Sequence, residues 1–224
     1  MDVQLVDVFG SDERVCDAAR VSFSKVAANY TPEQNQKLIK YLAKHNHWSP
    51  FAHVSITMKE KVPIFIARQR FKHRIGFEYN EVSRRYVDDP PKFFVPDVWR
   101  KRAENKKQGS SDEVVTEIDK YIVLGNSKKT GDIQKEYRYF LDEVENLYHR
   151  MIKGGVAPEQ ARMVLPQSMF TEYYVTGSLA AWARAYKLRS DPHSQKEIQD
   201  LAKMWNDVIG GIKELEHSWS ALIA

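Results

Sequence analysis

The chain of 224 residues holds one cysteine, Cys16, so no internal disulfide framework can staple it, and that usage fits a reducing cytoplasm. Apolar runs extend only a few residues, which excludes a helix able to span a bilayer. The opening MDVQLVDVFGSDER is acidic and lacks a basic region followed by an apolar stretch, so no secretory signal is expected there. No GxGxxG occurs, which rules out a dinucleotide cradled in the Rossmann manner. The histidines include one close pair, His45 and His47, and no second cluster with cysteine or carboxylate at ligand spacing, so no metal site is expected. Internal repeats and low-complexity tracts are missing too. The formal charge of +4 admits anionic ligands or nucleic acid and selects neither.

What is present suffices for a folded protein. At 42% hydrophobic and 12% aromatic the chain can bury a sizeable core, and its length suits one domain. VQLVDVF at 3–9 reads as a short strand, and Ser11 with Asp12 starts a helix through Ala19. TPEQ at 31–34 supplies a capping residue, a proline at the first helical position and a glutamine to close a capping box. Val54, Ile56 and Met58 alternate with polar residues over 53–61, which predicts a half-buried strand, and Pro63 opens a helix to Lys72. Residues 97–135 form a surface excursion after a proline-rich lead-in, carrying the basic cluster Arg100-Lys101-Arg102 and a predicted helix over 114–124. A long helix follows over 134–153, ended by Gly154-Gly155. Next come a short helix from Pro158 to Pro166, a strand over 169–175, a helix capped by Ser178, and a last helix from Ser194. Helices and strands mix without βαβ alternation, which predicts an α+β fold.

Residues 68–86 read RQRFKHRIGFEYNEVSRRY, with six Arg or Lys against two Glu. On a helix from Pro63, Arg68 and Lys72 stand four apart, as do Arg70 and Arg74 if the helix reaches them. Like charges at that spacing repel by a few tenths of a kcal/mol per pair. Folding does not ask for this pattern, whereas an anion would relieve it, each charge-assisted hydrogen bond contributing roughly 1.5–3 kcal/mol. A solvated basic face is the plainer explanation, and composition does not choose between them.

The arrangement Lys72-His73-Arg74, Asn80-Glu81, Ser83 and Arg85-Tyr86 resembles the signature of the flavin-dependent thymidylate synthases. PIFIARQ at 63–69, ARVSF at 19–23, the segment His47 to His53, QARMVLP at 160–166 and LRSDPH at 188–193 resemble further blocks of that family. The similarity leaves out about residues 97–135. Lys72 replaces the usual arginine, keeping the charge and losing the planar fork, and one extra residue separates His73-Arg74 from Asn80-Glu81.

The resemblance implies a single synthase domain over 1–224, with a central, mostly antiparallel sheet, flanking helices and a helical subdomain. It implies methylation of dUMP to dTMP with methylenetetrahydrofolate as carbon donor, FAD as redox carrier and NADPH as reductant, in a homotetramer with shared sites, without nucleic acid or membrane as partner. Gln69, Arg70, Glu81, Ser83, Arg84, Arg85, Arg162 and Arg189 are then expected to hold the nucleotide, with Arg189 and Ser83 nearest the chemistry. Ser22, Ser49, Lys72, His73, Arg74, Ser178, Arg184 and His193 are expected on the flavin, and His47 on the folate side. Cys16, flanked by Asp17 and without an adjacent base, is expected to be a core residue and not a nucleophile. Two other readings stay open: a single-strand-binding module built on the basic helix, Arg100 to Arg102 and nearby phenylalanines, and a flavoprotein of this fold that has lost the synthase reaction.

Overall fold

The computed structural model describes residues 1–104, 109–119, 122–123, 126–127 and 130–224. Its elements run β1 (Asp2–Phe9), α1 (Asp12–Arg20), α2 (Pro32–Lys44), β2 (Ser55–Pro63), α3 (Ile64–Arg70) and β3 (Phe77–Glu81). Then come β4 (Trp99–Arg102), β5 (Ser110–Val115), β6 (Glu117–Asp119), β7 (Ile122–Val123), β8 (Asn126–Ser127) and β9 (Thr130–Asp132). The chain continues with α4 (Ile133–Lys153), α5 (Pro158–Ala161), β10 (Phe170–Ser178), α6 (Leu179–Arg189), α7 (Lys196–Gly210) and α8 (Glu216–Ile223).

Polar side chains start the helices where the sequence places them. Ser11 accepts from the Arg14 amide, Thr31 and Gln34 form a reciprocal capping box, and Ser178 accepts from the Ala181 amide. α8 has no such local signal and was not expected. Its orphan amides at His217 and Ser218 are instead capped by both carboxylate oxygens of Asp12, each at 3.0 Å from across the fold.

By its own contacts the chain divides into two compact units. The first comprises residues 1–62, 66–81 and 172–224. It carries most of a four-stranded sheet in the order β1-β2-β10-β3, with β1 antiparallel to β2 and β10 antiparallel to β3. β2 alternates as predicted: Ile56, Met58, Glu60 and Val62 are buried, and Ser55, Thr57, Lys59 and Lys61 are half-buried. Tyr148 apart, the largest buried side chains, among them Trp182, Trp205, Tyr173 and Phe51, belong to this unit, packed over the sheet from α6 and α7 and from the 49–53 turn. β3 is a strand the sequence reading did not foresee. It pairs Phe77 with Gly177 and Glu81 with Tyr173, a partner almost a hundred residues away.

The second unit comprises 63–65 and 82–171. α4 buries Leu141, Val144 and Tyr148, and Trp99 packs edge-on against Tyr137 while its indole donates to Gln134. The helix predicted over 114–124 is not there. Residues 114–115 and 117–119 belong to the hairpin pairs β4-β5 and β6-β9, and 120, 121 and 124 lie outside the described residues. Val114, Val115 and Ile118 are β-branched, and two-residue alternation outweighed a weak helical pattern.

Gly76 lets the first unit close around its signature residues. It sits at φ +79, and a Cβ there would stand 2.8 Å from the Ala181 Cβ and 3.2 Å from the Ser178 hydroxyl. Gly76→Ala is therefore expected to lose about 1–3 kcal/mol of stability, because strain at positive φ adds to the clash. Urea unfolding measures this, and an unchanged midpoint would show that the turn relaxes freely.

Candidate active site

β2 and α3 each send one charged side chain into the core. Glu60 lies in phase with Ile56, Met58 and Val62, and Arg70 lies on the face of α3 that buries Ile66 and Ala67. Both side chains are fully buried and they pair at 3.3 Å. The Arg70 guanidinium carbon lies 4.4 Å from the Phe77 ring centre and 4.7 Å from those of Trp182 and Trp205, with Tyr79 at 5.2 Å. An isolated buried charge is expensive, and here it is offset by a carboxylate, a phenol and aromatic faces. Tyr173 completes the group by donating to Glu60 at 2.5 Å, and burial with Glu60 alongside raises its phenol well above the ordinary range.

This placement corrects two expectations. α3 ends at Arg70, so the pair Arg70 and Arg74 is not a helical repulsion, and Arg70 does not face solvent to hold a nucleotide. Its charge is used inside the unit. The signal was available in the sequence: Arg70 follows Ile66 and Ala67 at helical spacing, and Glu60 continues the buried alternation of β2.

From this core the structure runs outward to the signature residues. Arg70 Nη1 donates to the Tyr79 hydroxyl at 2.6 Å, and that hydroxyl donates to the His73 carbonyl at 2.8 Å. The His73 amide returns to the Arg70 carbonyl at 3.1 Å. His73 is thus a buried residue fixed by its backbone, while its Nε2 accepts from Arg189 Nε at 2.8 Å. Accepting there requires a neutral ring with its proton on Nδ1. Burial first, then Arg189, Arg70 and Arg184, push the His73 pKa down to about 4. Arg189, in the last turn of α6, also donates to the Gln69 carbonyl, and the Gln69 amide donates to Gln195 at 2.5 Å. Arg184 donates to the Ile75 carbonyl.

Gln69, His73, Arg184 and Arg189 are therefore brought together, with Lys72 and Arg74 exposed beside them in sequence. Among the described residues no carboxylate forms a salt bridge with Lys72, Arg74, Arg184 or Arg189. An exposed cluster of cations without counter-ions fits a phosphate or pyrophosphate group. Ser178 stands at the start of α6 with its hydroxyl engaged by its own helix, and Glu81 ends β3 exposed. Ser22, Ser49 and His47 are exposed on other turns of the first unit, and His193 is exposed with its ring against Asp191 at 2.9 Å. None of these four shares a hydrogen bond with the His73 group among the described residues.

In the second unit, Ser83 Oγ accepts from the Arg85 amide and from its Nε, and Arg85 lies over the Tyr86 ring. Arg84 donates to the Asp89 carbonyl. Arg162 is exposed after α5, its Nε on the Glu159 carbonyl at 3.2 Å, and its terminal nitrogens have no hydrogen-bond partner among the described residues. Cys16 is buried, donates weakly to the Asn35 carbonyl, and burial pushes its thiol up to about 11.

Because the folded state holds the His73 pKa below its unfolded value of about 6.5, the unfolded chain takes up a proton there first as pH falls. His73 therefore contributes stability at neutral pH that is lost between about 6.5 and about 4. His73→Asn, which cannot titrate, is expected to flatten that part of the stability profile, read as urea midpoints at pH 7 and pH 5. Separately, Arg70→Met is expected to cost about 3–5 kcal/mol, since it leaves Glu60 buried and uncompensated. A loss near zero by denaturant unfolding would contradict the buried pair.

The sequence profile of the family described as thymidylate synthase complementing protein matches residues 4–210, across both units. The chain is 38% identical over 202 residues to a flavin-dependent thymidylate synthase of Thermosipho melanesiensis, a match covering 89% of this chain and 81% of that protein. Against the enzyme of the same name from Thermus thermophilus it is 34% identical, covering 92% and 70%. The crystal structure of PolB from Streptomyces cacaoi, a UMP/dUMP methylase bound with 5-Br dUMP, is similar with a TM-score of 0.78 and 29% identity over 98% of this chain and 93% of that one. Profile, relatives and fold agree that the chain belongs to the flavin-dependent thymidylate synthases, a family of methyltransferases.

Proposed function

We propose that the chain methylates dUMP to dTMP in the cytoplasm as a homotetramer with shared sites, both units serving one synthase domain. The observation that carries this reading is the group of uncompensated cations around a neutral His73, placed in the residues that match the family signature. Lys72, Arg74 and Arg184 suit the pyrophosphate of FAD, with Ser22, Ser49, His73, Ser178 and His193 completing the flavin set and His47 on the folate side. The chemistry that FAD supplies when bound is hydride transfer, after reduction by NADPH, with methylenetetrahydrofolate as the carbon source.

The chain's own residues bind and orient. Gln69, Glu81, Ser83, Arg84, Arg85, Arg162 and Arg189 are proposed nucleotide ligands. A dianionic phosphate favours guanidinium forks, and the terminal nitrogens of Arg162 have no partner among the described residues. Arg189 opposes the negative charge that develops on the pyrimidine, and Ser83 positions the ring. No cysteine nucleophile takes part: a buried thiol with its pKa pushed up to about 11 offers no thiolate near neutral pH.

Purified protein is expected to be yellow, to bleach with NADPH when dUMP is present, and to form dTMP once the folate is added. Protein that takes up no FAD yet binds single strands in a steeply salt-dependent way would favour the nucleic-acid reading. Arg162→Ala is expected to weaken dUMP binding by roughly tenfold or more, the loss of a charge-assisted contact, with the fold intact. Loss of soluble protein instead would make Arg162 a structural residue.

A further inference from the structure

Arg189 is the cation the proposed reaction asks most of, and a flexible guanidinium must be aimed before it can stabilise charge. Its Nε has one hydrogen-bond partner among the described residues, the Nε2 of His73 at 2.8 Å. His73 in turn is immobilised from the core. Its carbonyl accepts from the Tyr79 hydroxyl, its amide donates to the Arg70 carbonyl, and Tyr79 is itself gripped by the Arg70 guanidinium that Glu60 anchors.

We propose that His73 is a positioning residue for Arg189, and that the buried Glu60–Arg70 pair sets it there through the Tyr79 hydroxyl. The inference rests on the proposed nucleotide chemistry, and it gives His73 a task beyond contact with the flavin. Nε2 is taken by Arg189, so the acceptor face of the ring is turned toward the nucleotide-binding arginine. The proton state suits the task. The charged groups that act on the ring are Arg189 and Arg184 from α6 and Arg70 from α3; with burial they hold the imidazole neutral above about pH 4. Tyr79, pushed up to about 12 chiefly by burial, remains a phenol that can donate. Each link therefore keeps its donor or acceptor role across the physiological range.

The test separates nucleotide affinity from flavin affinity in the FAD-loaded protein. With FAD in excess, so that a lost flavin contact does not leave the site empty, His73→Ala is expected to weaken dUMP binding roughly tenfold, the loss expected for one charge-assisted hydrogen bond. His73→Gln, whose amide oxygen can accept from Arg189, is expected to recover most of the affinity. Tyr79→Phe removes only the hydroxyl and is expected to weaken dUMP by a few-fold with flavin retained. The proposal is overturned if His73→Ala sheds flavin but binds dUMP normally with FAD in excess, or if His73→Gln is as impaired as His73→Ala. A second measurement is independent of any ligand: the Arg189 Nε–H resonance in nitrogen-15 spectra, assigned with Arg189→Lys. Slow exchange of that proton in the wild type, lost in His73→Ala and kept in His73→Gln, supports the contact; fast exchange in the wild type refutes it. If the wild type binds no dUMP, the functional reading falls, and this resonance alone decides the positioning role.

Discussion

A guanidinium sealed beneath aromatic rings is the constraint on which the first unit depends. Arg70 cannot be solvated where it lies, so β2 must supply Glu60, β3 must supply Tyr79 and Phe77, and α6 and α7 must supply Trp182 and Trp205. Five elements are thereby held to one point, with tolerances of a few tenths of an ångström set by hydrogen-bond geometry. A buried pair of this kind is a poor source of net stability compared with apolar residues of the same volume. Its value here is specificity of arrangement, because the same guanidinium that completes the core also fixes the turn carrying His73.

That arrangement divides the signature residues by depth. Arg70, His73 and Tyr79 organise, whereas Lys72 and Arg74 are exposed and meet no carboxylate among the described residues. The exposed, buried, exposed order of Lys72, His73 and Arg74 follows from α3 ending at Arg70: beyond the helix, each side chain goes where the turn sends it. Arg184 and Arg189 both act on the His73 ring, and among the described residues neither forms a salt bridge, an arrangement that an anionic ligand would relieve. Arg189 ends α6, where the helix dipole favours positive charge, yet partial burial and then Arg70 still push its pKa down.

Much of the secondary structure was legible because its causes are local. Ser11, Thr31 and Ser178 cap helices by bonds to amides three residues on, and the alternation of β2 needs no knowledge of its partner. What escaped has distant causes. β3 is a five-residue strand rich in polar groups whose stability comes from pairing with β10. α8 is capped by Asp12 from the opposite end of the chain. The strands found at 114–115 and 117–119, within the stretch predicted as a helix over 114–124, gain their hydrogen bonds from partners and not from sequence neighbours.

By itself the sequence determined the family, through an ordered signature of charged and amide residues that core packing does not require. It also determined which residues are cationic. Only the tertiary structure decided which of those cations are left exposed and which one holds the core together. Helical phase pointed Arg70 inward, but a buried arginine is tolerable only where a carboxylate and aromatic faces arrive from other elements to receive it. Residues 68–86 therefore carry two kinds of information: an identity that can be read along the chain, and a division between buried and exposed charge that exists only once β2, β3, α6 and α7 have closed around Arg70.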